Sequence, residues 1–351
     1  MTVPKKLNWG ILGAARVNER LLPAIMTAAN AQLVAIASRR PGAAAATLAK
    51  YAVGDSQHVS CYDDLASLIN DPKVEAIYCP MANEEHAQWA MQAIAAGKHC
   101  LIEKPMATKL QDVQAMAVAA QHQQVKLMEG FMYRFHPQHA RLQALIAQGL
   151  IGDVLSARAS FSFLMQAARL YRVNRSMADG GGAMWDIGPY AMHALRWCFA
   201  EHGQPAQALK VSALAKLNEH GADTACSGVL DFGLDAQGRA RFGHFDVSFE
   251  RSRKSEYEII GSKGWIKCHA AWVFEKDEAV ISWGLDDGSV GEERIAPSNH
   301  FSLEISHFSD CVLHDSPPLL SLQDAQQNCQ AIQAVLQSVA TGLPSRLAKL
   351  D

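Results

Sequence analysis

The stretch LNWGILGAARVNERLLPAIMTAANAQLVAIASRR, residues 7–40, decides the fold, because it reads as strand, turn, helix and second strand. The first strand spans residues 7–13 and the second spans residues 33–37, while residues 21–29 continue as a helix between them. A strand–helix–strand unit of this kind is typical of a parallel sheet covered by helices. We therefore predict an α/β fold that begins with a doubly wound parallel sheet.

The turn of this unit carries a loose form of the glycine fingerprint that binds dinucleotides. Gly13 and Ala15 are small residues, and asparagine stands at the third fingerprint position, Asn18. Small residues are needed where backbone amides approach a pyrophosphate, at the start of a helix whose dipole favours anions. We take Gly13, Ala15 and Arg16 as candidate cofactor-binding residues.

The second strand ends in Ser38, Arg39 and Arg40, where an NAD-binding fold usually places an acidic residue. An acid there would bind the ribose hydroxyls and repel a 2′-phosphate, whereas two arginines can clamp that phosphate. The alternative is a pair of solvated arginines in a loop. The spacing from Gly13 fits the end of the second strand, so we favour phosphate binding by the arginines, and therefore NADP over NAD.

The alternation of strands and helices then continues. It predicts helices at 43–51, 63–69 and 84–96 and strands at 76–79, 99–103 and 126–130. Asn83 is a predicted N-cap, and Thr108 with Gln111 forms a predicted capping box. Ligands bind at the carboxyl edge of such a sheet, so the residues that follow two neighbouring strands are further cofactor candidates: Pro80, Asn83, His86, Glu103 and Lys104.

The segment HCLIEKP, residues 99–105, joins a buried strand to a charged pair held by proline. Pro105 biases Lys104 toward an extended conformation, which would keep the ammonium group at the strand's carboxyl edge. A solvated Glu-Lys turn is the alternative. Because the Glu-Lys-Pro segment follows a parallel strand, we favour a functional role for Lys104.

The second half of the chain, 131–351, is rich in strands. An aromatic-basic linker at 131–137 leads into a helix and then into strands at 154–163, 211–217, 227–232, 240–249, 257–260 and 265–269, with closing helices at 303–313 and 323–341. We predict an NADP-binding domain at 1–130 and an α+β domain at 131–351 with an open, mostly antiparallel sheet. One broad sheet face could mediate a homodimer or a higher homo-oligomer.

A glycine run at 180–182 introduces a helix with polar residues at three spaced positions. Asp186, Tyr190 and His193 would lie on one helical face, an arrangement suited to proton transfer and hydroxyl binding. Pro189 places the start of the regular helix near Ile187. An amphipathic helix with its polar side in water is the alternative, but the apolar residues of this segment do not cluster cleanly on one face.

Bulk composition narrows the class of protein. Lys plus Arg total 32 and Asp plus Glu 35, for a net charge of −3, and no basic array suggests nucleic-acid binding. Eight cysteines without a C-x-x-C pair are read as buried reduced thiols, which argues for a cytoplasmic protein and against a structural zinc site. We expect a soluble, unprocessed chain, with no metal and no membrane or nucleic-acid partner.

Together these motifs resemble the Gfo/Idh/MocA family of oxidoreductases over nearly the whole chain. The resemblance is carried by GILG at 10–13, AAGKH at 95–99 leading into EKP at 103–105, GGG at 180–182 leading into DIGPY at 186–190, and IGSKG at 260–264. The stretches YCPMAN at 78–83 and EGFMYRFHP at 129–137 are most similar to the branch of NADP-dependent aldose (xylose-type) dehydrogenases and dihydrodiol dehydrogenases.

The resemblance implies roles for individual residues. Lys104 would lie beside the nicotinamide, with a Lys-Pro bond that is often cis, and Tyr190 would be the acid/base. Tyrosine, with a reference pKa of about 10, needs a cation to act as a base, and Lys104 can supply it. Asp186 would orient the substrate or Lys104. Tyr133, Arg134 and His193 are secondary substrate candidates, and His193 is also readable as a packing residue.

The implied activity is hydride transfer between nicotinamide and a secondary or hemiacetal alcohol of a sugar or sugar-like diol. Ala15 and Asn18 depart from the glycine fingerprint, and Pro189 fills a variable position of the family motif. These departures affect the expected cofactor geometry and leave the expected class of enzyme unchanged. Two alternatives stay open: a non-catalytic cofactor-binding regulator, and a lyase or glycosidase that uses bound NAD transiently.

Overall fold

The computed structural model describes residues 5–201, 203–272 and 277–350. These residues fold into two compact units. The first unit runs to Phe135 and also includes Asn299–Ala325, and the second contains His136–Ser298 and the chain from Gln326 onward.

The sheet of the first unit consists of six parallel strands in the order β3-β2-β1-β4-β5-β6. The strands are β1 (Leu7–Leu12), β2 (Ala31–Ala37), β3 (Ser60–Tyr62), β4 (Ala76–Cys79), β5 (His99–Glu103) and β6 (Leu127–Gly130). The direction of strand order reverses between β1 and β4, which creates the crevice where doubly wound sheets bind ligands.

Helices connect these strands. They are α1 (Asn18–Thr27), α2 (Ala43–Tyr51), α3 (Leu65–Ile69), α4 (His86–Ala95) and α5 (Leu110–His122), with short 3₁₀ turns at Asn83–Glu85 and Met132–Phe135. A later helix, α9 (His300–Leu313), also belongs to this unit and packs against α1 and the turn Met132–Phe135.

The contact between α9 and the sheet is made by buried aromatic residues. Trp9 on β1 is fully buried, and its Nε1–H donates to Ser309 Oγ at 3.0 Å. Its ring lies 5.5 Å from that of Phe308, centroid to centroid. Because the buried indole N–H has a partner, the large apolar ring is buried without an unsatisfied donor.

The second unit is built on a nine-stranded sheet in the order β14-β13-β12-β11-β7-β10-β9-β8-β15. The strands are β7 (Val154–Ser162), β8 (Lys210–Leu217), β9 (Asp223–Leu234), β10 (Ala240–Ser248), β11 (Lys254–Gly261), β12 (Gly264–Cys268), β13 (Ala279–Leu285), β14 (Val290–Ile295) and β15 (Ser345–Arg346). Strands β7 and β10 pair in parallel, and the other neighbours are antiparallel.

The helices of this unit are α6 (Pro137–Ala147), α7 (Ala183–Asp186), α8 (Gly188–Cys198) and most of α10 (Leu322–Thr341), with 3₁₀ turns at Ala167–Val173 and Met177–Asp179. Helix α8 packs on β7 and β10, and a Cβ at Gly243 would point toward Leu195. Phe242, one position away, therefore faces the opposite side of the sheet.

The predicted fold class is confirmed: a doubly wound parallel sheet is followed by a second, mostly antiparallel one. The prediction did not include the short strands β3 and β15 or the hairpin β13–β14. Two predicted caps were wrong, because α4 begins at His86 and α5 at Leu110, and neither has a side-chain cap hydrogen bond.

The cysteines are all free, as predicted, but Cys61 is exposed where we expected a buried thiol. It lies on the outermost strand β3, where few neighbours cover it. Within the described ranges, no helix is both long and apolar enough to cross a membrane.

Candidate functional site

The turns that follow β1, β2, β4 and β5 reach the same edge of the parallel sheet, because parallel strands end on one side. Gly13 follows β1 with a φ of +117°, a conformation that favours glycine. A Cβ there would lie 2.9 Å from Met81 Sδ, so glycine also allows the turns after β1 and β4 to approach each other.

The residues after Gly13 lead directly into α1. Ala15 is partly buried and Arg16 is exposed. Asn18 is fully buried; its Nδ2–H donates to Gly13 O at 2.8 Å, and its Oδ1 has no partner. No side chain caps α1, and the amides of its first two residues donate to the preceding turn, Asn18 N to Ala15 O and Glu19 N to Arg16 O, both at 3.2 Å. The positive end of the helix dipole still favours an anion here. This turn fits the pyrophosphate of a dinucleotide.

The turn after β2 places two guanidinium groups near this edge. Ser38 is buried, and its Oγ accepts a hydrogen bond from Arg40 N at 3.2 Å. Arg40 Nη2 donates to Ala14 O at 3.3 Å, which links this turn to the one after β1. Arg39 forms a two-pronged ion pair with Glu85, with N–O distances of 2.6 and 2.9 Å. A 2′-phosphate bound by Arg39 would meet this carboxylate.

The Glu-Lys-Pro segment follows β5. The Lys104–Pro105 peptide bond is cis. The Glu103 carboxylate accepts a hydrogen bond from the hydroxyl of the buried Tyr78 on β4. The turn after β5 is thereby tied to the neighbouring strand.

His86, predicted as a cofactor ligand, bridges two backbone carbonyls inside the protein. Its Nδ1 lies 2.7 Å from Pro105 O and its Nε2 lies 3.0 Å from Met81 O. The side chain is 1% exposed, and burial lowers the pKa of His86 to about 4 despite the two carbonyls. A neutral imidazole has one N–H and donates to one of them. The geometry supports a role in joining the turns after β4 and β5.

The other predicted residues of the first unit occupy different environments. Pro80 is buried directly after β4, and Asn83 lies partly buried in a 3₁₀ turn. Tyr133 is 1% exposed, edge-on to Phe131 with ring centroids 6.1 Å apart. Arg134 is partly buried in the same turn as Tyr133.

A buried carboxyl group that we did not predict lies on α9. Glu304 is fully buried, and neither of its carboxyl oxygens has a hydrogen-bond partner. Burial, reinforced by the nearby Glu103 carboxylate, raises the pKa of Glu304 well above its usual value. Both effects favour the neutral form of this carboxyl group.

In the second unit, Tyr190 lies in an aromatic cage at the start of α8. The phenol is 6% exposed, and its ring centroid lies 5.6 Å from that of Phe161 and 5.9 Å from that of Trp272. Pro189 occupies the first turn of α8, as the sequence predicted. The cage restricts the ring to a narrow range of orientations.

Asp186 ends α7, four residues before Tyr190, and its carboxylate forms an ion pair with the Arg172 guanidinium. Both side chains are largely buried, at 28% exposure for Arg172 and 16% for Asp186. Arg172 was not among the residues predicted from the sequence. A signal was present, because Arg169, Arg172 and Arg175 recur every third residue, but no local rule pairs this segment with Asp186.

His193, one turn after Tyr190, is buried within α8. Its Nε2 accepts a hydrogen bond from Trp197 Nε1–H at 3.1 Å, and the side chain is 1% exposed. This contact agrees with the packing interpretation. The structure thus gathers the predicted cofactor residues at one sheet edge of the first unit, and Asp186, Tyr190 and His193 on consecutive helices of the second.

Comparison with known proteins matches both units. Residues 7–131 match the GFO/IDH/MocA model described as an oxidoreductase family with an NAD-binding Rossmann fold. Residues 139–267 match the GFO/IDH/MocA C-terminal domain.

Relatives match over nearly their full length. The chain is 28% identical to the D-xylose 1-dehydrogenase (NADP⁺) 2 of Haloferax volcanii, over 95% of this chain and 98% of the relative. It is 27% identical to the trans-1,2-dihydrobenzene-1,2-diol dehydrogenase of Xenopus tropicalis, over 96% and 99%. The fold resembles that of KijD10, a 3-ketoreductase of Actinomadura kijaniata crystallised with NADP and TDP-benzene, with a TM-score of 0.83, 24% identity, and coverage of 95% and 98%.

Proposed function

The chain belongs to the Gfo/Idh/MocA family of oxidoreductases, and we propose that it is an NADP(H)-dependent dehydrogenase or reductase of a sugar or sugar-like diol. Hydride would pass between the nicotinamide and a secondary or hemiacetal alcohol carbon. One observation carries the proposal: Tyr190, the candidate acid/base, lies caged by aromatic rings four residues after a carboxylate that Arg172 holds in an ion pair.

The cofactor assignment rests on the turns after β1 and β2. Gly13 and the uncapped start of α1 suit a pyrophosphate, and Arg39 and Arg40 replace the acid that would reject a 2′-phosphate. The Haloferax relative, named as an NADP⁺ enzyme, supports the same choice. When bound, the nicotinamide supplies the hydride acceptor or donor.

The chain's own residues would move the proton. In oxidation, Tyr190 takes the proton of the substrate hydroxyl, and in reduction it returns that proton to the nascent alcohol. The reference pKa of tyrosine is about 10, so the tyrosinate needs a nearby positive charge, which we assign to Lys104.

We assign substrate orientation to Asp186. The Arg172 guanidinium favours the ionised form of this carboxylate, which can only accept hydrogen bonds. An ionised carboxylate therefore selects ligands that donate, such as the hydroxyl groups of a sugar or diol. The names of the two relatives, a xylose dehydrogenase and a dihydrodiol dehydrogenase, agree with this class of substrate.

The test is Tyr190→Phe, assayed with D-xylose and a trans-dihydrobenzenediol and NADP⁺ by nicotinamide absorbance. We expect the NADPH dissociation constant to stay the same and turnover to fall by about two or more orders of magnitude, the usual contribution of a general acid/base. Near-normal turnover would remove the assignment.

Tyr257→Phe is a matched control. Tyr257 is buried, its ring centroid also lies 5.8 Å from that of Trp272, and its hydroxyl lies 2.7 Å from His139 Nδ1. The same atom is deleted beside the same indole, yet we expect turnover close to that of the wild type. A comparable loss in both variants would indicate general disruption of the aromatic cluster.

We also propose a cytoplasmic enzyme that forms a homodimer or a higher homo-oligomer through the open face of the nine-stranded sheet. Phe242, which faces away from α8, is 40% exposed. Cross-strand register places Trp265 and Val290 on the same face, at 37% and 78% exposure. A broad face with large exposed apolar side chains favours association.

A further inference from the structure

Asp223 is a fully buried carboxyl group that the proposed mechanism does not use. It is the first residue of β9, directly after a turn in which Asn218 Oδ1 accepts a hydrogen bond from Ala222 N at 3.0 Å. A buried carboxylate is costly unless hydrogen bonds or a charge compensate it. The hydrogen bonds that compensate the buried carboxylate of Asp223 therefore indicate its structural role.

The carboxylate of Asp223 caps α7 from a distant part of the chain. Its Oδ2 accepts a hydrogen bond from Met184 N, in the first turn of α7, at 2.8 Å. The residue that precedes α7 is Gly182, which has no side chain to serve as a cap. The amides at the start of a helix need acceptors, and Asp223 provides one that the local sequence lacks.

The approach of this carboxylate depends on glycine at position 182. Gly182 has a φ of +97°, and a Cβ at this position would overlap Asp223 Oδ1. Any other side chain would push the carboxylate away from the helix. The third glycine of the run is thus part of the Asp223 contact.

Two opposing effects act on the pKa of the Asp223 carboxyl group. Burial raises the pKa of Asp223 to about 7, while hydrogen bonds from backbone amides, including that of Met184, oppose this rise. Its Oδ1 has no hydrogen-bond partner. Within the described ranges, no cluster of acidic, His or Cys side chains includes it as a metal ligand. The hydrogen bond from Met184 N at the start of α7 partly compensates the burial of this carboxylate.

Helix α7 is a single turn that connects this contact to the candidate catalytic residues. Met184 lies two residues before Asp186, and Ile187 joins α7 to α8, which carries Tyr190. The backbone of the same segment also fixes Arg172, since Gly182 N donates to Arg172 O at 2.9 Å. A shift at the start of α7 would be passed to Asp186, to its ion pair and to Tyr190.

We propose that Asp223 is a positioning residue for the reaction: its buried carboxylate fixes the first turn of α7 and thereby orients Asp186 and Tyr190. This inference rests on the proposed function, because it assumes that those two residues act on the substrate. It predicts a loss of turnover without a loss of cofactor binding, since Gly13, Arg39 and Arg40 belong to the other unit.

The experiment compares Asp223→Ala with Asp223→Asn in the full-length enzyme, using D-xylose and a trans-dihydrobenzenediol with NADP⁺. In Asp223→Ala, we expect kcat to fall by about ten- to a hundredfold, as small misplacements of catalytic groups do, with the KM for NADP⁺ and the NADPH dissociation constant unchanged. Asparagine keeps a carbonyl acceptor for Met184 N, so Asp223→Asn should restore most of the lost turnover.

Asp223→Glu is the second variant if the alanine form does not fold, as judged by circular dichroism. Glutamate keeps the carboxylate and adds one methylene, so the carboxylate would be pushed against α7. We therefore expect kcat to fall as much as in Asp223→Ala. Wild-type kcat in a folded alanine or glutamate variant would overturn the inference while leaving the proposed function intact. So would equal losses in the asparagine and alanine variants. A wild-type enzyme without activity on any alcohol or carbonyl tested would overturn both.

Discussion

The ion pair between Arg39 and Glu85 predicts that Glu85 lowers the affinity for NADP, because it competes with the 2′-phosphate for Arg39. The pair is two-pronged, with N–O distances of 2.6 and 2.9 Å, and its side chains are 55% and 22% exposed. Exposed pairs contribute about 0.2–1 kcal/mol, and two-pronged geometry places this one near the upper limit. A 2′-phosphate that binds Arg39 must replace or share this contact.

Glu85→Gln should therefore tighten NADPH binding by up to about fivefold, the equivalent of about 1 kcal/mol, and leave NADH binding nearly unchanged. The gain should shrink at high ionic strength, because salt screens exposed charges. Both dissociation constants can be measured by nicotinamide fluorescence at low and high salt.

Glu84→Gln is the control, since it removes the same charge from the neighbouring, exposed position. Arg39→Ala should weaken NADPH binding much more than NADH binding. If Glu85→Gln instead weakens NADPH binding, Glu85 orients Arg39 for the phosphate and does not compete with it. Equal effects of Arg39→Ala on both cofactors would refute the role of Arg39 in selecting NADP.

Two other predictions concern stability and assembly. The raised pKa of Glu304 means that the folded state keeps a proton that the unfolded chain releases above about pH 4.3, so this residue's contribution to stability is lost as pH rises. Thermal unfolding should show Glu304→Gln gaining stability relative to the wild type between weakly acidic and alkaline pH; a constant difference would contradict this. If the protein forms the proposed oligomer, Phe242→Arg should shift it toward monomer in light scattering, whereas Val118→Arg, at an exposed site on α5, should not. An unchanged mass would exclude the open sheet face as the interface.

Local sequence patterns were sufficient to predict most of the first unit. Most residues of β1, β2, β4 and β5 are apolar, because strands covered on both faces of a sheet need apolar side chains. The residues after these strands could then be placed at one edge by topology alone. Strand β3, with three residues on the rim of the sheet, has too little apolar content for such a pattern.

Contacts between residues far apart in sequence could not be predicted in this way. Glu304 belongs to a helix that joins the first unit from a distant part of the sequence, and its burial next to Glu103 depends on that packing. Asp223 reads as an ordinary turn residue at the start of a strand. Only the register of β9 and the path of the chain before α7 bring its carboxylate to Met184.

The glycine run at 180–182 has a packing role that its sequence does not reveal. In the sequence, the run is recognisable only as the introduction to the candidate catalytic helix. In the structure, a Cβ at Gly181 would overlap Arg175 O, and one at Gly182 would overlap Asp223 Oδ1. The glycines thus admit other parts of the same unit to the start of α7. If the run serves this packing, Gly182→Ala should reproduce the kinetic pattern of Asp223→Ala, whereas a run that only admits substrate would show a higher substrate KM with kcat preserved.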